Sequence, residues 1–364
     1  MRKILIVVIM IFVAAVAGIM LIRDSHTETD ITAETTRIGL ILNGSHNDRN
    51  YVQTHFEALQ SLQKELNLKI ICREKVPKDC YKEIVDLIEK EDCKIIVANS
   101  FEFGEYMKKA ALAYPNTYFL HATGTSHSIN MSTYFGRMYQ ARYLAGIVAA
   151  LESKTGELGY VASFPLPEVI RGINAFMLGA HSVRPETAVY VRFCNSWTAD
   201  EPAETATKTL LDNHPQIDVI AVHTNSLKPH KVTESRGIMS IGCNKDNSDL
   251  FTSAYLTAVE WNWQGYYREQ ILDCLRGKFH GTHKWIGMKD GIVKLSGFSS
   301  IVSEETKAAV AAANDRLTSR EFDVFYGPIR DNTGKLRLDE GESMSDNAML
   351  NTFNWYVEGV TIEQ

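Results

Sequence analysis

Three short strings carry residue types used in acyl transfer: Ser61-Leu62-Gln63-Lys64, Lys154-Thr155-Gly156 and Ser345-Asp346-Asn347. A lysine-activated serine nucleophile needs its serine at a helix start and the strings in the order SxxK, SDN, KTG. Here Ser61 falls mid-helix and the order is broken, so the strings are read as chance matches. No GxSxG, GxxxxGK[ST] or HExxH string is present. His280 and His283 stand three apart, but no carboxylate or cysteine in that stretch accompanies them, which reads as a solvated loop and not a metal site. His121 is better placed. It follows the apolar run 117–120 and opens Ala122-Thr123-Gly124, the carboxyl end of a parallel strand, where α/β sheets bind ligands; a packed core histidine fits the same pattern. These residues point to binding without catalysis, and no cofactor is implied.

The elements that must position such residues are those of an ordinary globular chain. Of 364 residues, 45% are hydrophobic and 23% charged, enough length and apolar content for two lobes with separate cores. The formal net charge is -6 with no long run of one sign at either terminus, which excludes a nucleic-acid surface. Arg2 and Lys3 precede an apolar stretch over 4–22, an export signal that places the remainder outside the cytoplasmic membrane. Ala15-Val16-Ala17 resembles a cleavage site, yet the stretch is long enough to span a bilayer, so both cleavage and retention as an anchor stay open. No cysteine lies near it, which excludes a lipid-modified N-terminal cysteine. Residues 24–36 are polar and read as a linker.

From 37 onward short apolar strands alternate with amphipathic helices. The order βαβαβ over 38–98 restarts at 159 and runs to 222, which predicts two α/β units, each a parallel sheet covered on both faces. We expect lobe 1 over 37–152 and 254–292, and lobe 2 over 153–253 and 293–364. The tail from 284 must return to both lobes. Six cysteines in an exported chain permit disulfides, and Cys72 with Cys80 is the pair favoured by proximity in sequence.

Longer strings carry a family resemblance from 38 to 360. They are Tyr134-Phe135-Gly136-Arg137 through Ala141-Arg142-Tyr143-Leu144-Ala145-Gly146, then Gly159-Tyr160-Val161-Ala162 leading into Pro167-Glu168-Val169-Ile170-Arg171-Gly172-Ile173-Asn174-Ala175-Phe176. Asn195-Ser196-Trp197, Trp261-Asn262-Trp263 and Asn354-Trp355-Tyr356-Val357-Glu358-Gly359-Val360 extend it. The chain resembles the basic membrane protein family, the group that includes the purine nucleoside receptors, and its Trp-Asn-Trp and Asn-Ser-Trp strings resemble the branch associated with free bases such as adenine. The resemblance implies the type I periplasmic-binding-protein fold: two Rossmann-like lobes with parallel sheets, joined by three crossovers and closing on ligand by a hinge. It implies an extracytoplasmic receptor, not an enzyme, that hands a purine base or nucleoside to the permease and ATPase of an ABC importer. A sensor read by a signalling partner is the alternative, and a purine-processing enzyme a third.

By motif position the resemblance makes Tyr51 and Trp197 the rings that stack on the ligand, worth roughly 1–3 kcal/mol per base. A buried base also needs edge partners. Candidates at strand ends are Asn47, Asp48, Ser100, His121, Thr224, Asn225 and Asp246, and for Asp48 a helix cap fits better. The string Gly242-Cys243-Asn244-Lys245-Asp246 departs from the nucleoside receptors, which resemble Gly-Val-Asp-Ser-Asp and use the first carboxylate on ribose. Asn244 replaces that carboxylate, and Leu256 stands near the place of a lysine those receptors carry. Both departures favour a base over a nucleoside.

Overall fold

The computed structural model describes residues 35–319 and 322–363. The export segment and nearly all of the linker lie outside the described residues. The chain opens with β1 (Thr36–Ile41), α1 (Tyr51–Leu62), β2 (Leu68–Arg73), α2 (Tyr81–Glu89), β3 (Ile95–Ala98), α3 (Gly104–Ala113), β4 (Tyr118–Ala122) and β5 (Met131–Gly136). It continues through α4 (Met138–Glu152), β6 (Glu157–Ala162), α5 (Pro167–His181), β7 (Ala188–Phe193), α6 (Asp200–Asn213), β8 (Val219–His223), α7 (Lys228–Ser235), β9 (Met239–Asn244) and β10 (Tyr255–Trp261). Then follow α8 (Gln264–Leu275), β11 (His283–Ile286), β12 (Val293–Leu295), α9 (Glu304–Ser319), the hairpin β13 (Ile329–Arg330) and β14 (Leu336–Leu338), and β15 (Val360–Glu363).

Two sheets result, in the orders β11-β5-β4-β3-β1-β2 and β12-β10-β9-β8-β6-β7-β15. The central strands β3 and β8 are apolar or buried along their whole length, as strands covered on both faces must be. All pairings within the two sheets are parallel except β12, which runs antiparallel to β10 and closes that edge. In lobe 1, α2 and α3 cover one face around Ile84, Met107 and Phe119. In lobe 2, α6 and α7 cover the outer face around Leu210, Ile220 and Val232. The other faces of both sheets join one continuous core across the crossovers.

The chain passes between lobes three times, from β5 to α4, from β10 to α8 and from β11 to β12. This corrects two boundaries. β10 pairs with β9, so residues 255–261 belong to lobe 2, and the return to lobe 1 begins with α8. The helix α4 packs on α5 and on β8, β10 and β12, and is therefore the first element of lobe 2 and not the last of lobe 1. Its contact with α5 is set by glycine: a Cβ at Gly146 would stand 1.9 Å from the Phe176 carbonyl oxygen, and one at Gly179 1.9 Å from that of Tyr143. Periodicity cannot assign a buried helix at a crossover to one lobe. The expected Cys72–Cys80 bridge is not formed, and all six cysteines are free thiols. No helix among the described residues is long and apolar enough to cross a membrane.

Candidate functional site

The cleft side of lobe 1 is built at the start of α1. The Asp48 carboxylate accepts from the N–H groups of Asn50, Val52 and Gln53 at 2.8, 3.1 and 2.9 Å, and Asn50 Oδ1 accepts from Tyr51 N at 3.0 Å. These bonds satisfy the free donors of the first turn, so Asp48 caps the helix. Burial is the main influence that raises its pKa, against the three N–H bonds that lower it. The cap fixes Tyr51 as the first helical residue, and its hydroxyl donates to the Asn99 carbonyl oxygen at 2.9 Å.

Under Tyr51 lies a stack of three rings. Trp261 and Trp263 are 4.5 Å apart at 13°, and Trp263 and His55 are 4.5 Å apart at 15°. Tyr51 meets all three edge-on, at 4.7 Å from His55 and 6.3 Å from each indole, a geometry that aromatic quadrupoles favour. The stack is pinned at its N–H groups: Trp263 Nε1 donates to Thr54 Oγ1 at 3.0 Å, and Trp261 Nε1 to Asn244 Oδ1 at 2.8 Å. His55 Nδ1 is 2.6 Å from the Tyr267 hydroxyl, which is 2.7 Å from that of Tyr134. Burial lowers the His55 pKa to about 3 and keeps the ring neutral, and it raises the Tyr51 phenol well above its ordinary value.

Lobe 2 contributes Trp197, partly buried on the loop between β7 and α6. Its carbonyl oxygen accepts from Thr224 Oγ1 at 2.8 Å and Asn225 N at 2.7 Å, so those two predicted residues hold the loop that carries the ring. The indole sits 6.2 Å from His223 and 6.3 Å from Phe164. His223 Nδ1 is 2.9 Å from the Tyr160 hydroxyl; burial first, then Arg142 and Arg171, push its pKa well below the ordinary value. The ring is therefore neutral and shares one hydrogen bond with the Tyr160 hydroxyl.

The two lobes touch through Asn244 and Asn225, which the sequence marked, and through Arg49, Asn50, Asn247 and Asp249, which it did not. Asn244, in the left-handed region at φ 65°, donates from Nδ2 to Asn50 Oδ1 at 2.6 Å and Asn225 Oδ1 at 3.0 Å. Asn50 Nδ2 reaches back to the Asn225 carbonyl at 3.1 Å. Beside them, Arg49 pairs with both oxygens of Asp249 at 2.5 and 2.6 Å, and its Nε donates to Asn247 Oδ1 at 3.1 Å. Asn247 Nδ2 returns a bond to the Arg49 carbonyl at 3.1 Å, and Lys245 Nζ reaches Glu57 at 2.7 Å. These bonds tie the start of α1 in lobe 1 directly to the end of β9 and the loop after it in lobe 2.

The remaining predicted residues are occupied elsewhere. Exposed Asn47 accepts from Ser45 Oγ at 2.8 Å. The Asp246 carboxylate accepts from Ser248 N and Oγ at 2.9 and 3.0 Å. Ser100 Oγ bonds Glu102, and buried His121 donates from Nε2 to the Ser100 carbonyl at 2.7 Å; burial lowers its pKa against that bond. His121 lines a separate hollow of lobe 1 with Lys78, Phe101 and Gly124. Asn47, Asp246, Ser100 and His121 are therefore not brought together with Tyr51 and Trp197 by any of these bonds. No group of three or more His, Cys, Asp or Glu among the described residues could hold a metal.

Comparison with known proteins agrees with this architecture. Residues 35–321 match the sequence model of the family described as ABC transporter substrate-binding protein PnrA-like. A purine-binding protein of Brucella abortus is 35% identical over 351 residues, covering 96% of this chain and 98% of that one. A Haloferax volcanii protein provisionally named an ABC transporter glucose-binding protein is 30% identical, over 90% of this chain and 81% of that one. Among solved structures, an ABC transporter solute-binding protein from Conexibacter woesei superposes with a TM-score of 0.69 at 16% identity, covering 79% of this chain and 98% of that one, which shows the shared fold.

Proposed function

The chain belongs to the PnrA-like family of ABC transporter substrate-binding proteins, and on that premise we propose that it captures a purine-type ligand, a free base such as adenine before a nucleoside. Family and fold are those of carriers that bind a solute and hand it to an ABC importer, not those of enzymes. The observation that carries the choice of a base is the state of Asn244. At the position where the nucleoside receptors resemble a ribose-binding carboxylate, this chain has an amide whose donor and acceptor are taken by Asn50, Asn225 and Trp261. A ribose would find no free carboxylate there, whereas a planar base needs only two ring faces and an edge. Tyr51 and Trp197, one from each lobe, supply the faces, as the resemblance implies.

The receptor works on the outer side of the cytoplasmic membrane, tethered there if the N-terminal segment is retained, and its partner is the permease of the importer. The test is a thermal-shift panel of adenine, hypoxanthine, adenosine, glucose and amino acids, with mass spectrometry of small molecules released on denaturation. A ligand that binds only the folded state raises its stability by mass action. A shift with adenine larger than with adenosine is expected. A shift with glucose or an amino acid alone overturns the proposal.

A further inference from the structure

A hollow of about 350 Å³ opens in lobe 1 at the carboxyl ends of β3 and β4, with the buried residues His121 and Gly124 at its floor and the exposed residues Lys78, Phe101 and Lys108 at its rim. That size suits a small molecule. The floor holds a histidine with one committed nitrogen. His121 Nε2 bonds the Ser100 carbonyl oxygen at 2.7 Å, and because a carbonyl only accepts, Nδ1 of the neutral ring is a lone-pair acceptor. The side chain is 1% exposed, and burial lowers its pKa, which keeps the ring neutral. Among the described residues nothing donates to Nδ1.

The free edge of this ring meets the hollow between two glycines. A Cβ at Gly124 would stand 2.3 Å from Nδ1 and one at Gly104 3.3 Å from Cε1, and both glycines line the hollow. A side chain at Gly124 would cover the lone pair, and glycine leaves it bare. The turn that brings Gly124 against the ring holds Thr123, a β-branched residue, at φ 60°, strain of the kind that persists only where the surroundings over-determine it. Above the floor stand the ammoniums of Lys78 and Lys108 and the carboxylates of Glu102 and Glu105, none of them in an ion pair among the described residues. Phe101, 66% exposed, presents a bare ring at the mouth.

We propose that this hollow is a second ligand site, for a neutral polyhydroxylated molecule of monosaccharide size, with one hydroxyl donating to His121 Nδ1 and a face of C–H groups laid on Phe101. The rim selects the class. Two ammoniums and two carboxylates leave no net charge to hold an ion, and a rim that mixes donors with acceptors is matched by hydroxyls, each of which does both. A planar base carries its polar groups in one plane and would engage only part of such a rim. The site adjoins the cleft without being part of it: the Asn99 carbonyl, next in the chain to that of Ser100, accepts from the Tyr51 hydroxyl at 2.9 Å. The inference stands independently of the purine reading.

Nitrogen NMR of the histidine-labelled protein, with the His121 ring signals assigned through its backbone, tests this with D-glucose, D-ribose and adenine as probes. A hydrogen bond accepted by Nδ1 moves its resonance toward that of a protonated nitrogen. One or both sugars should move the His121 Nδ1 resonance, and the same titration with adenine saturating the protein should give the same response. Phe101→Ala, at an exposed position outside the core, should weaken sugar binding by about threefold to tenfold, read from the same titration, and leave adenine affinity unchanged. A His121 Nδ1 resonance that neither sugar moves, a sugar response abolished by saturating adenine, or sugar affinity unchanged in Phe101→Ala would each overturn the assignment. If adenine does not bind at all, the purine reading fails, and the sugar titrations of the unsubstituted protein and of Phe101→Ala still decide this site.

Discussion

The two walls of the cleft are made on opposite principles. Lobe 1 presents rings whose hydroxyl and indole N–H are bonded, Tyr51 OH to Asn99 and Trp263 Nε1 to Thr54, with His55 Nε2 the one atom of the stack left without a partner among the described residues; Trp261 of lobe 2 lies against them, its Nε1 bonded to Asn244. Lobe 2 presents Trp197 on a loop next to Phe164 and His223, and its interior holds buried polar atoms without a partner, among them Ser163 Oγ and Arg142 Nε. An aromatic wall is indifferent to the ligand's edge, because any planar face stacks on it. An unsaturated polar wall costs stability until a complementary edge arrives, and so it discriminates. On the proposed reading, the rings supply the platform and the polar groups of lobe 2 the choice.

The strongest way to break this contrast is to attack the platform from beneath. Trp263→Ala removes a side chain that is 1% exposed and stacked between His55 and Trp261. It should cost about 3–5 kcal/mol of folding stability, read by denaturant unfolding. A loss under 1 kcal/mol would show that the wall does not depend on its stack.

The next effect separates the walls directly. Trp197→Ala should weaken base binding by roughly 1–3 kcal/mol with little change in ligand-free stability, because its ring is partly buried on a loop held through its backbone carbonyl. Tyr51→Ala should lower both quantities, since the same substitution deletes the bond to Asn99 and the edge contacts with the stack. Titration beside unfolding of each variant checks this. If Trp197→Ala unfolds the protein and leaves affinity intact, Trp197 is structural.

The smallest effect concerns the contact between the walls. Arg49 and Asp249 are 37% and 63% exposed, so their pair is screened by salt and worth about 0.2–1 kcal/mol. Arg49→Ala should therefore lower affinity only up to about fivefold, with a more open ligand-free form by small-angle scattering. A loss beyond about twentyfold would move the latch from the rim of the site to its centre.

Much of the fold is legible in the sequence because βαβ alternation is a local signal. The apolar run of β3 and the amphipathic faces of α1 and α2 announce themselves within a dozen residues. What escaped is long-range. Arg49 and Asn247 bond across 198 positions, and no local pattern pairs them. Thr224 and Asn225 stand where strand ends predict a site, yet they serve the Trp197 loop, because a loop that presents a ring must itself be tied down.

The stacked indoles have a further consequence. Trp261 ends β10 of lobe 2, and Trp263 opens the helix that re-enters lobe 1 and lies against His55. Two near-parallel chromophores 4.5 Å apart have strongly coupled electronic transitions, and the sign and size of the resulting circular-dichroism couplet follow the skew between them. Because the pair straddles a crossover strand, any rotation of one lobe against the other twists one indole over its neighbour. The protein carries an unlabelled optical goniometer at its own hinge.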